Sequence, residues 1–139
     1  MLFRSPGIDF DAVRRRTRSL AGMREYAVSK LSNVLFSQEL ARRLGGAGGG
    51  VSSYALHPGV VASDIWRRVP RLARPFITRR MLTTDQGAVT SLYCATSAAV
   101  TGDSGLYYDK CAALAPSRVA TPELAGLLWK HSAEWTGLG

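Results

Sequence analysis

No stretch of this 139-residue chain approaches the ~20 consecutive apolar residues that span a bilayer. The opening MLFRSPGIDFDAV carries acids by position 9 and lacks the apolar run of a secretion signal. Cysteine is scarce: Cys94 and Cys111 stand in no CxxC pair, and His57 and His131 have no ligand-spaced companions. A metal site is therefore not expected, and a reduced, cytoplasmic chain is. Acid is also short, with 10 Asp and Glu against 18 Lys and Arg, a net charge of +8. The excess base is clustered at Arg14, Arg15, Arg16 and Arg18, and again at Arg67, Arg68, Arg71, Arg74, Arg79 and Arg80. No zinc-finger or RNP signature accompanies it, so nucleic acid is not an expected partner. The arginines read as a solvated surface, with a pocket rim, a phosphate contact or a weak membrane-surface contact as alternatives.

What is present suffices for one modest domain over residues 1–139, with 46% apolar residues and one core. Asp9 or Asp11 can cap a helical turn around residues 10–18. The spacing then predicts a helix from Arg24 to Leu44. Ala27, Val28, Leu31, Val34, Leu35 and Ala41 fall on one face, and Phe36, Leu40 and Leu44 make a second stripe nearly opposite. Two stripes predict cover on both sides, by a sheet on one and by a helix or a second copy of the chain on the other. The glycines of GGAGGG, 45–50, close this helix. They follow a helix and precede a strand, the reverse of a phosphate-binding loop.

VSSYALHP, 51–58, reads as a short buried strand ended by Pro58. Residues 59–83 form an Arg- and Pro-rich excursion of a length usual in binding loops. Thr83 or Thr84 caps a helix over 85–97, and Leu106–Tyr107–Tyr108 is a short strand. Thr121–Pro122–Glu123 opens a last helix to about Ala133. A helix returning to a strand through a glycine turn is half of an α/β unit with a parallel sheet.

The chemistry centres on EYAVSK, 25–30. Residues four apart share a helix face, so Tyr26 and Lys30 can occupy one site. A free tyrosine, with a pKa of about 10, is almost wholly protonated at neutral pH. A neighbouring ammonium favours the phenolate, which fits the phenol to pass a proton to or from a substrate oxygen. The spacing alone is weak evidence. The run HPGVVASDIW follows at the end of the predicted strand, where open α/β sheets gather their sites. There Pro58–Gly59 allows close backbone approach to a flat ligand, Val61 offers an apolar wall and Ser63 a hydroxyl.

YAVSKLSNVLFSQELARRL followed by YALHPGVVASDIW, and later QGAVTSLYCATS and SGLYYDKC, resembles the short-chain dehydrogenase/reductases, nearest the retinol-dehydrogenase-like branch. The resemblance runs from about residue 7 to residue 136. It implies an α/β fold, the C-terminal portion of a Rossmann-like doubly wound parallel sheet, incomplete here. Tyr26 is then the catalytic acid/base, and Lys30 its partner and a cofactor ribose contact. Pro58, Gly59, Val61 and Ser63 are the nicotinamide-side contacts. The implied cofactor is NAD(P), with NADP preferred, and the implied substrate a small apolar alcohol or carbonyl, retinoid- or lipid-like. Asn33, His57 and Cys94 are read as structural.

The residues before Tyr26 contain neither the family's TGxxxGxG loop nor a serine suited to its catalytic position, since Ser5 precedes a Pro–Gly turn. The chain is accordingly expected to be a truncated C-terminal part that alone binds NADP(H) weakly. The competing expectation is a non-catalytic truncated module acting through a partner, or as a homo-oligomer through the 24–44 helix.

Overall fold

The structure is a computed structural model and describes residues 7–16, 22–45, 50–61 and 81–138. Among the described residues are three α-helices, α1 (Met23–Arg43), α2 (Thr84–Thr96) and α3 (Pro122–Thr136). Three short strands, β1 (Ala55–His57), β2 (Tyr107–Asp109) and β3 (Ala112–Leu114), form one sheet in the order β1-β2-β3. This mixed α/β arrangement is consistent with part of a Rossmann-like fold. The residues fall into two compact units: Met1–Ala55 with Gly102–Tyr107 and Ala115–Gly139, and Leu56–Thr101 with Tyr108–Leu114.

In the first unit α1 packs on α3. Leu31 and Leu35, one turn apart on α1, meet Ala125 and Leu128 on α3. Ile8, Phe10, Val119, Ala120 and Leu124 close round this cluster. Leu35 is wholly buried, and burying such a side chain stabilises by about 1.5–3 kcal/mol. Another side of α1 meets residues 53 and 105. Ser37 Oγ lies 2.9 Å from Ser53 Oγ, and a Cβ on Gly105 would come within 3.1 Å of the Ala41 methyl. The Gly105 amide donates to the Ser53 carbonyl (2.7 Å) and the Ala55 amide to the Leu106 carbonyl (3.1 Å). Paired residue numbers rise together, so these two segments run parallel.

The helix is thus covered on two sides, as its stripes predict, but by a different set of residues. Phe36, assigned to the second stripe, is 51% exposed and stacks on Trp129 with ring centroids 5.4 Å apart. The polar Ser37 and Glu39 are buried instead, because each has a partner. Glu39 accepts from Arg42 Nε and Nη2 at 2.8 and 2.7 Å, and from Arg43 Nε at 2.7 Å. These bonds, Arg42's foremost, hold its carboxyl down at about 2 even though burial opposes the charge.

The ends follow the expected chemistry. The Asp9 carboxylate accepts from the amides of Asp11 and Ala12 to start a turn. Thr83 forms a capping box with Gln86 at the start of α2. Thr121 Oγ1 accepts from the Leu124 amide, with Pro122 in the first turn of α3.

In the second unit α2 buries Gly87, Thr90 and Cys94, and Tyr93 meets Tyr108 of β2 at 6.1 Å between centroids. The strand expected over 51–58 is regular only over Ala55–His57, since the Ser53 amide donates to Ser104 Oγ at 3.1 Å. Strands β2 and β3 make a hairpin the sequence does not announce. Its two-residue loop, Lys110–Cys111, has φ of 50° and 60°. Positive φ at both central residues marks a type I′ turn, which favours Asn-Gly over Lys-Cys.

Candidate active site

Tyr26 lies in the first turn of α1. Its amide donates to the carbonyl of Gly22 (2.9 Å), and its own carbonyl accepts from Ser29 Oγ (2.8 Å). Gly22 is the N-cap, and as a glycine it has no side chain to cap the helix with. Tyr26 is 45% exposed, and Lys30, one turn on, is exposed beside it. The Lys30 ammonium lies over the Tyr26 ring, 5.3 Å from its centroid. An exposed cation over an aromatic face is worth about 0.5–1 kcal/mol. The pair expected from the spacing is therefore brought together on an exposed part of the helix.

The second group of expected residues lies in the second unit. Pro58 is exposed at the end of β1. Gly59 has φ +83°, and the Leu82 side chain fills the space a Cβ would need. Val61 pairs in parallel with Leu82, whose amide donates to the Val60 carbonyl at 2.9 Å. The Val61 methyls press on Gly87 of α2, where a Cβ would collide with them. The turn at 58–61 is thus held from 82 and 87. Sequence reading missed Leu82 and Gly87 in this role. An isolated glycine inside the α2 pattern was the available signal for a close approach. Ser63 and the arginines at 67–80 lie outside the described residues.

An open cleft of about 340 Å³ is lined by Gln38, Glu39, Ala41, Arg42, Ser104 and Gly105 together with Pro122 and Ala125 of α3. It begins twelve residues along α1 from Tyr26, roughly 18 Å at 1.5 Å per residue, and includes neither Tyr26 nor Lys30. Among the described residues no group of three or more His, Cys, Asp or Glu is placed to hold a metal ion. No described helix is long and apolar enough to cross a membrane.

No protein-family model matches the chain. Curated relatives do. It is 39% identical to retinol dehydrogenase 12 of Homo sapiens over 140 aligned residues, covering 96% of this chain and 41% of the relative. Its identity to the Mus musculus retinol dehydrogenase 12 is 42%, over 81% of this chain and 36% of that protein. With the WW domain-containing oxidoreductase of Gallus gallus it is 40%, over 90% and 31%. The chain belongs to the short-chain dehydrogenase/reductase family. It spans about 31–41% of the length of these relatives. As short-chain dehydrogenase/reductase sequence, the chain gives the Tyr–Lys pair on α1 a chemical context that its spacing alone did not supply.

Proposed function

We propose that this chain carries the acid/base part of an oxidoreductase that moves hydride between NAD(P)(H) and an alcohol or carbonyl. The observation that carries the reading is the Lys30 ammonium 5.3 Å from the centroid of an accessible Tyr26 ring. The kinship with oxidoreductases supports it. The apolar relatives' substrate, retinol by name, suggests a retinoid- or lipid-like alcohol or aldehyde here.

In the first unit, Lys30 has the chemistry to hold part of a nicotinamide cofactor. Lys30 is an exposed ammonium with three N–H donors, suited to paired ribose hydroxyls. Pro58, Gly59 and Val61 would contact the nicotinamide side, as the family resemblance implies, and Ser63 would add a hydroxyl. When bound, the nicotinamide supplies or accepts the hydride. Tyr26 gives its phenolic proton to the substrate oxygen in reduction and takes it back in oxidation. Lys30 keeps a positive charge beside the phenol while the proton moves. NADP is the preferred form of the cofactor.

The test is turnover of the purified chain with NADPH and an apolar aldehyde such as retinaldehyde, for wild type, Tyr26→Phe and Lys30→Met. Since the chain alone is expected to bind NADP(H) weakly, the reading expects low activity at saturating cofactor, which Tyr26→Phe removes and Lys30→Met lowers. Equal rates in wild type and Tyr26→Phe would exclude it. A wild-type chain without turnover that self-associates through α1 would favour the alternative, a non-catalytic module.

A further inference from the structure

The open cleft of the first unit has no part in the proposed chemistry, since neither Tyr26 nor Lys30 lines it. Part of its lining is apolar: Ala41 of α1, Pro122 and Ala125 of α3, and Gly105, which adds no side chain. The polar part holds hydrogen-bond donors that the fold leaves unused. A guanidinium presents five N–H groups, which form two forked edges. Glu39 takes one edge of Arg42, accepting from Nε at 2.8 Å and from Nη2 at 2.7 Å. The other edge, between Nη1 and Nη2, has no partner among the described residues. The half-buried Gln38 amide also makes no side-chain hydrogen bond among them. Ser104 Oγ accepts from the Ser53 amide at 3.1 Å, which leaves its hydroxyl proton to donate. The charge suits an anion. Arg42 and Arg43 share the single carboxylate of Glu39, so the three side chains carry one surplus positive charge. Their bonds, Arg42's foremost, hold the Glu39 carboxyl down at about 2, so that edge of Arg42 stays occupied at neutral pH.

We propose that this cleft binds a small monocarboxylate with an apolar body, its carboxylate on the unused edge of Arg42 and its hydrocarbon against Ala41, Pro122 and Ala125. A carboxylate matches a guanidinium edge with two parallel N–H···O bonds. Gln38 and Ser104 supply further donors in the same lining. The cleft holds about 340 Å³, and a water molecule takes about 30 Å³ of liquid, so the space suits a ligand of on the order of ten non-hydrogen atoms. The Arg42 side chain is 65% exposed, so solvent screens its charge and the affinity is weak, with a Kd on the order of millimolar.

Three probes separate the parts of the site. Hexanoate, hexan-1-ol and acetate are each titrated into the full chain and followed by proton–nitrogen NMR. Hexanoate should shift the Gln38 side-chain amide, the Arg42 Nε–H and the Gly105 amide along one saturating curve. Hexan-1-ol lacks the charge and acetate the hydrocarbon, and each should bind about tenfold or more weakly. Arg42→Gln should weaken hexanoate about tenfold or more, with Glu39 still bonded to Arg43. Gln38→Leu leaves no described partner of the fold unpaired, so it tests the site without that risk to folding, and it should weaken hexanoate severalfold. The assignment is overturned if hexan-1-ol binds as tightly as hexanoate, if neither variant changes the affinity, if the shifts are confined to Tyr26 and Lys30, or if no shift saturates.

Discussion

The two regions assigned to the chemistry are built by opposite means. Tyr26 and Lys30 meet because a helix turns once in about four residues, and nothing distant is needed to bring them together. The turn at Pro58–Val61 is held from afar, by Leu82 across a parallel bridge and by the missing side chain of Gly87. A site made by local geometry survives most mutations around it. One made by long-range contacts fails when any of them is filled or removed.

That contrast orders the predictions. The largest effect should come from Tyr26→Phe, which removes one oxygen from an exposed side chain. Turnover should fall by about 10²-fold or more, the scale of a lost general acid, while the thermal midpoint stays within error of wild type. A parallel fall in the midpoint would show that the hydroxyl is structural. Next, Leu35→Ala should destabilise the first unit by about 2–5 kcal/mol in urea denaturation, since Leu35 is wholly buried beneath α3. A cost under about 1 kcal/mol would mean that the α1–α3 seam is loosely packed. Gly87→Ala should then cost about 1–3 kcal/mol through overpacking against Val61, with the secondary structure of α1 unchanged in circular dichroism. If it instead stabilises, through better helix propensity, the turn at 58–61 is not held there.

The smallest effect appears only in acid. Glu39 has its carboxyl lowered in the fold to about 2, so it binds a proton more weakly folded than unfolded. Its contribution to stability is present above the ordinary carboxylate range and is lost as pH falls from about 4.5 toward 2. Glu39→Gln should flatten the stability–pH curve in that window and leave the shape above pH 6 unaltered. An unchanged acid slope would show that the Arg42 and Arg43 contacts are not maintained in solution.

The same contrast explains what was legible beforehand. The three helices lie where they are expected, and α2 and α3 start at residues expected to cap them, Thr83 and Thr121, because those signals are local. The β2–β3 hairpin was not legible. Ala112–Ala113–Leu114 has no β-branched residue, and Lys110–Cys111 is not a turn pair that favours positive φ, so tertiary context imposes both. The covered faces of α1 were read too simply. Binary patterning treats Ser37 and Glu39 as surface, and only their partners, Ser53 and the two arginines, make burial affordable. At the candidate site, the Tyr26–Lys30 pair could be read from a spacing of four, whereas the clasp on Gly59 could not, because Leu82 is 23 residues away in sequence.

The position of Tyr26 in α1 also sets a clock. Its amide is bonded to the carbonyl of Gly22, an N-cap that offers no side chain, so this bond is among the first that helix-end fraying breaks. Amide hydrogens here should exchange with solvent deuterium far faster than that of Leu35, about two and a half turns deeper in the same helix. Tyr26, the proposed proton donor, therefore stands at the fast-opening end of a helix that Leu35 and Glu39 anchor further along. The dwell time of the ring beside Lys30, not the stability of the core, would then set how long the pair stays aligned for each encounter.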